Sequence, residues 1–162
     1  MPLEIERKFL VKDDTWRRRI LRSEHLRDGI LAASDGRKVR VRIYGDRATL
    51  TVKSRQEHGR RTEFEYEIPC EDAEEMLASH CGANILEKTR YHVAFGGLDW
   101  EIDVYEGELA GVVLAEVELD RIDRDVQLPQ WAGEEITGRP EYKKSAMLEA
   151  RRAGRPFDRP AG

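Results

Sequence analysis

Residues 3–11 read Leu-Glu-Ile-Glu-Arg-Lys-Phe-Leu-Val. Apolar and charged side chains alternate through much of this stretch, and a period of two is the mark of a β-strand with one apolar face. Alternation then gathers Glu4, Glu6 and Lys8 on the other face. The same period returns at 39–43, 48–53, 63–68, 99–105 and 114–120, with weaker strand candidates at 28–33 and 84–95. Tyr44-Gly45-Asp46-Arg47 and Gly96-Gly97 separate neighbouring segments at hairpin distance. Short connections of this kind predict a mostly antiparallel sheet. About eight strands are enough to close a barrel.

Helices are expected in the gaps. Asp13 or Asp14 is placed to cap a helix carrying Trp16, Ile20 and Leu21. Residues 71–81 set Ala73, Met76, Leu77 and His80 near one face, and Gly82 stops the run. A last helix is expected over 141–153, with Ala146, Met147, Leu148 and Ala150 apolar. The expected organisation is α+β: a single domain over 1–153, a closed eight-stranded antiparallel barrel with helices packed outside. A frayed tail over 154–162 is expected to follow it.

Composition narrows the function classes. Charged residues make up 37% of the 162, well above the usual ~25%, while 40% hydrophobic residues suffice for a packed core. Lys and Arg number 28 against 32 Asp and Glu, so the chain lacks the basic excess of a nucleic-acid coat protein, and no nucleic-acid partner is expected. No apolar run approaches the ~18 residues of a membrane span. The start, Met1-Pro2-Leu3-Glu4, is not a signal peptide, so a cytoplasmic protein with no membrane partner is expected. Cys70 and Cys81 make neither a disulfide framework nor a zinc cluster and read as packing thiols. His25, His58, His80 and His92 show no ligand spacing along the chain and read as loop, surface or packing residues. Trp16, Trp100 and Trp131 read as core aromatics.

The charged faces of the strands carry the functional information. Arg40 and Arg42 share a face, as do Thr51 and Lys53, Glu63 and Glu65, Lys88 and Arg90, Glu101 and Asp103, and Glu116 and Glu118. A solvated sheet face is the plain alternative. Three features argue against it. The polar positions are nearly all fully charged, the signs segregate by strand, and like charges along one face repel. The amphipathic helices also need the apolar faces, which turns the charged faces inward. Buried charges are costly unless they are paired or bind ions. Lys8, Arg40, Arg42, Lys53, Lys88 and Arg90 suit a polyanion, since Arg forks match phosphate oxygens and Lys supplies a point charge. The carboxylates would repel that anion unless a cation stood between, and oxygen ligands beside phosphate point to Mg²⁺ or Mn²⁺.

The same residues carry a family resemblance. Glu4-Ile5-Glu6-Arg7-Lys8 resembles the Glu-x-Glu-x-Lys signature of the CYTH superfamily, the triphosphate tunnel metalloenzymes. Val39-Arg40-Val41-Arg42 resembles its Arg-x-Arg strand and Leu50-Thr51-Val52-Lys53 its Thr-x-Lys strand. Arg61-Thr62-Glu63-Phe64-Glu65, Lys88-Thr89-Arg90-Tyr91, Trp100-Glu101-Ile102-Asp103 and Ala115-Glu116-Val117-Glu118-Leu119 follow in order. The resemblance implies an eight-stranded tunnel that binds triphosphate and divalent metal. Its members include inorganic, thiamine and RNA triphosphatases and class IV adenylate cyclases, and the single-domain layout is most similar to stand-alone inorganic triphosphatases. It implies Glu4, Glu6, Asp103, Glu116 and Glu118 as metal-side carboxylates, and Lys8, Arg40, Arg42, Lys53, Lys88 and Arg90 as phosphate ligands. Lys8, Glu63 and Glu65 are candidates to orient or activate water. The expected partner is a small-molecule triphosphate, with room for a homodimer. Nucleotide cyclisation, nucleoside or thiamine triphosphate hydrolysis, and a non-catalytic polyphosphate-binding module are the alternatives. Many relatives have Tyr-x-Asn where this chain has Tyr142-Lys143-Lys144.

Overall fold

A computed structural model of the chain describes residues 3–156. The strands are β1 (Leu3–Val11), β2 (Ile20–Ser34), β3 (Arg37–Tyr44), β4 (Arg47–Lys53), β5 (Arg60–Ile68), β6 (Ile85–Phe95), β7 (Leu98–Tyr105), β8 (Val113–Glu118) and β9 (Ala132–Glu135). Two α-helices, α1 (Cys70–His80) and α2 (Lys144–Arg152), complete the framework. The first eight strands form the expected closed antiparallel barrel in the order β5-β4-β3-β2-β6-β7-β8-β1, with β1 meeting β5 again. Strand β1 closes the ring by dividing its pairing. Leu3–Ile5 pair with β5, while residues 6–10 pair with β8. The Gly96-Gly97 turn holds both residues at positive φ, 60° and 75°, the left-handed geometry that a two-residue hairpin needs and glycine adopts without strain.

Three apolar clusters support the wall. One joins Phe9, Trp16, Trp100 and Trp131, all nearly or fully buried, with Trp100 and Trp131 edge to face at 5.3 Å. A second sits under α1, which brings Ala73 and Leu77 against Val41, Ile43 and Ala48 of the outer wall. Gly29 makes this approach possible: a Cβ there would stand 2.6 Å from Cys81 Sγ. The third cluster differs in kind. It packs Met147, Leu148 and Ala150 of α2 against Leu86, Tyr105 and Leu114. Those three positions continue the inward series of Lys88, Asp103 and Glu116, so α2 plugs one end of the barrel while α1 covers its outside.

Several expectations are corrected. No helix carries Ile20 and Leu21. A short 3₁₀ turn over Thr15–Arg19 gives way to β2, which runs fifteen residues and pairs Ile20 with Val93. Asp13 spends its side chain on the Thr15 N–H and hydroxyl, which fits a local turn better than a helix cap. The weak strand at 28–33 is thus the second half of a long one. β8 ends at Glu118; Asp120 lies beyond it and pairs with Arg124. β9 was not anticipated, and it lies beside β1 through Phe9 and Val11. The last helix is shorter than expected, because Pro140–Tyr142 form a separate 3₁₀ turn. Of the expected tail, Gly154 and Arg155 close α2, with the Arg155 N–H donating to Ala150 O; residues 157–162 lie outside the described residues. Among the described residues, no helix is long and apolar enough to cross a membrane.

Candidate active site

Strand pairing turns the sequence alternation into one lumen. Glu6 stands opposite Glu118 and Lys8 opposite Glu116. Glu101 faces Glu116 across the next pair. Arg40 lies opposite Thr51, and Lys53 opposite Glu63. The lumen holds a cavity of about 1100 Å³. Of the residues singled out from sequence, Glu4, Glu6, Lys8, Arg40, Arg42, Lys53, Glu63, Glu65, Arg90, Glu116 and Glu118 border it. Lys88 and Asp103 do not; they are almost fully buried behind the cavity wall.

Two electrostatic regimes share this lumen. Behind and beside the deep wall, opposite charges are closed on one another. Arg42 grips Asp28 with two hydrogen bonds of 2.6 and 2.8 Å. Arg90 grips Asp103 likewise at 2.8 and 3.0 Å, and Lys88 adds a contact to Asp103 at 2.8 Å. Burial disfavours the Asp28 charge, yet Arg42, Lys144 and Lys88 hold this carboxylate well below its usual range. Asp103 follows the same pattern under Lys88 and Arg90.

The pairs that Glu4 and Glu63 make are long. Lys53 lies 3.7 Å from Glu4 and 3.6 Å from Glu63. Arg61 Nε stays 3.8 Å from Glu4, and Arg40 stays 3.9 Å from Glu63. Glu4 Oε2, Arg40 Nε and Arg61 Nε are buried without a hydrogen-bond partner. Such atoms are costly in a protein interior and mark a place built for a guest. Burial, a hydrogen bond with Glu63 and the charge of Glu6 push the Glu4 carboxyl up to about 9. Glu63 moves the other way, to about 2: burial opposes its charge, but the Glu4 proton and Lys53 outweigh it. Between these two carboxyls the proton is therefore favoured on Glu4 and the charge on Glu63.

Lys8 is buried, which weakens its charge, but Glu116 and Glu6 raise its affinity for the proton above the ordinary lysine level. In the protein alone this balance favours the ammonium form. Lys38, at the mouth, is lowered to about 8 by burial and by Arg61, Lys143 and Lys53 around it. That crowd of cations gives this part of the lumen an affinity for anions.

Sequence reasoning passed over Asp28, Arg61 and Lys144 as site residues. Arg61 donates to Glu6 at 3.0 Å and stood within a matched motif, so its signal was present. Asp28 sits in a stretch whose alternation is interrupted by Gly29 and paired alanines. Lys144 enters from α2 and reaches Asp28 at 3.3 Å, a contact no local pattern encodes. The Lys at this position thus adds to the deep wall an amine whose proton burial and Lys88 weaken and Asp28 favours.

Comparison with known proteins agrees with this geometry. The CYTH domain family matches residues 2–152. An inorganic triphosphatase of Acetivibrio thermocellus is 38% identical over 149 residues, covering 92% of this chain and 95% of that protein. The inorganic triphosphatase of Nitrosomonas europaea is 36% identical over 149 residues, covering 89% and 95%. A crystal structure of an inorganic triphosphatase superposes with a TM-score of 0.61 at 33% identity, covering 90% of this chain and 93% of that one. A Hippeastrum protein described as an adenylyl cyclase with dominant triphosphatase activity shares the fold, with a TM-score of 0.63 at 17% identity, covering 97% and 100%.

Proposed function

The chain belongs to the CYTH domain family, and from that premise we propose that it hydrolyses inorganic triphosphate to pyrophosphate and phosphate inside its tunnel. The observation that carries this reading is the set of buried, unpartnered charges, Glu4 Oε2, Arg40 Nε and Arg61 Nε, around one polar cavity. Tripolyphosphate carries roughly four to five negative charges near neutrality, since a terminal phosphate has a second pKa near 6. Arg40, Lys53 and Lys38 face the lumen with charge to neutralise it. Arg42 and Arg90 are anchored by Asp28 and Asp103, so their guanidinium planes are set before substrate arrives. Lys88 and Asp103 act from behind that layer, fixing where Arg90 stands.

The carboxylates fit a hard divalent cation. Glu4, Glu6, Glu116 and Glu118 would hold Mg²⁺ or Mn²⁺, which supplies charge neutralisation and polarises phosphoryl oxygens. Glu63 and Glu65 orient the attacking water by accepting its hydrogen bonds. Lys8 stays charged and steadies the phosphoryl oxygens. Water attacks the terminal phosphorus, the bond to the bridging oxygen breaks and pyrophosphate leaves along the line of attack; the water oxygen stays on the phosphorus as orthophosphate and its proton passes to a product phosphate oxygen.

The test is phosphate release from tripolyphosphate and from ATP, in Mg²⁺ and in Mn²⁺, with cyclic AMP measured alongside. Phosphate release that prefers tripolyphosphate is expected. Cyclic AMP as the main product would replace hydrolysis by cyclisation. Tight tripolyphosphate binding with no turnover in either metal would leave a binding module.

A further inference from the structure

The outer wall of the barrel carries a second constellation, unconnected with the lumen. His25 of β2, Glu87 of β6 and Glu106 just past β7 sit on the outward parity. Their strand neighbours Leu26 and Lys88 pair on the inward side, and none of the three borders the cavity. His25 Nε2 lies 3.3 Å from Glu87 Oε2 and 3.5 Å from Glu106 Oε2. One donor atom from each residue lies within 4.8 Å of the others. Along the chain these residues are far apart, which is why spacing alone hides them.

The arrangement is held from several sides. The Glu106 N–H donates to Glu87 O at 2.9 Å, so both carboxylates hang from one fixed piece of backbone. Thr89 Oγ1 donates to Glu106 Oε1 at 3.2 Å, which leaves Oε2 turned toward the imidazole. Such outer contacts orient ligands in metal sites. Among the described residues, no lysine or arginine pairs with Glu87 or Glu106; His25 is their shared partner. Two carboxylates brought together at one imidazole repel each other, and a divalent cation would balance them. One imidazole and two carboxylates suit Zn²⁺ and its first-row neighbours, whereas the all-oxygen lumen suits Mg²⁺ or Mn²⁺. We propose that His25, Glu87 and Glu106 form a surface site for a divalent transition-metal ion, distinct from the tunnel. The ion would tie the exit of β7 to β2 and β6, whose inner faces carry Asp28, Lys88 and Arg90.

Zn²⁺ titrated calorimetrically into the full chain, with Mg²⁺ in excess to occupy the lumen carboxylates, tests the site. Imidazole ¹⁵N resonances are followed in parallel. Binding of one Zn²⁺ per chain is expected, with the His25 resonance shifting and a rise in melting temperature. His25→Ala and Glu106→Gln should abolish that binding, and Thr89→Val should weaken it by roughly tenfold. The three side chains are about half exposed, at 50, 47 and 48%, so the variants should fold and keep wild-type phosphate release in Mg²⁺. A His25 resonance that Zn²⁺ leaves in place overturns the proposal. So does equal Zn²⁺ affinity in wild type and in both ligand variants.

Discussion

Around Asp28 and Asp103 the charges of the lumen are closed on one another, while around Glu4 and Arg40 they are held apart. Both regions are buried and both are built from carboxylates, guanidinium groups and ammonium groups. The difference lies in geometry: two-point contacts at 2.6–3.0 Å in the first, and in the second single contacts, one of 3.0 Å from Arg61 to Glu6 and the rest at 3.6–3.9 Å. A closed pair is a structural part, and its loss strands its partner in the interior. An open set has not satisfied its charges and keeps them for ligands. Reading a charged lumen therefore requires the pairing as well as the residue types.

Asp28→Asn should break this contrast most severely. It leaves Arg42 and Lys144 facing each other with their shared carboxylate gone, and a broken buried pair costs about 3–5 kcal/mol. Urea unfolding should register that loss. A stability close to wild type would mean that the deep pairs are as dispensable as the open ones.

Glu116→Gln or Glu118→Gln should leave unfolding nearly unchanged and cut turnover by roughly a hundredfold. Raising Mg²⁺ should restore part of the rate by mass action. Near-normal rates at limiting Mg²⁺ would return both carboxylates to ion pairing with the lumen bases.

Arg40→Ala comes next. Removing one charge-assisted phosphate contact should raise KM by roughly tenfold or more. Excess metal should not rescue it, and steady-state kinetics across a Mg²⁺ series separates it from the Glu variants.

The smallest effect concerns pH. Lys38 is lowered to about 8 in the free protein, so it carries its charge below that pH and loses it above. A bound polyanion favours the charged form and raises the lysine toward its ordinary 10.5. Anion affinity should therefore fall as pH rises past 8, by about tenfold per unit at most. Lys38→Arg stays charged and should flatten that step relative to wild type, with changes in the anion's own ionisation cancelling between the two. Parallel curves from pH 7 to 9.5 would remove Lys38 from the anion's surroundings.

Much of this was readable before any coordinates. β1, β3 to β5, β7 and β8 announce themselves, and β6 does so more weakly, because a barrel wall with a charged inside and an apolar outside alternates along each strand. That alternation also aimed Glu4, Glu6, Lys8, Arg40, Lys53 and Glu116 into a shared space. It failed where other forces shape the chain. Ile20–His25 extend past the end of β3 and pair with β6 alone, so no two-sided burial imposes a pattern there. Ala132-Gly133-Glu134-Glu135 has no strand-like residue and is ordered by the free flank of β1. The plug formed by α2 follows from a change of character along inward positions, where charged residues give way to Leu86, Tyr105 and Leu114. That change shows only after the parity of each strand is known. Closed and open pairs cannot be told apart from sequence at all, since they differ by an ångström and a hydrogen-bond angle.

The double engagement of β1 has a consequence for how the molecule is made. β1 leaves the ribosome before all of its partners: it has none until β5 appears, and it cannot settle against β8 until Glu116 and Glu118 have been synthesised. Its last neighbour, β9, comes later still. Pairings between distant parts of a chain form slowly, because the intervening segment must be ordered first. Glu4 and Glu6 thus belong to a strand made before all its partners and completed only when the last of them arrives. A nascent chain stalled before β8 would expose an unpaired, half-apolar strand, so the rate at which this protein is completed bears directly on whether it reaches the closed ring or an aggregate.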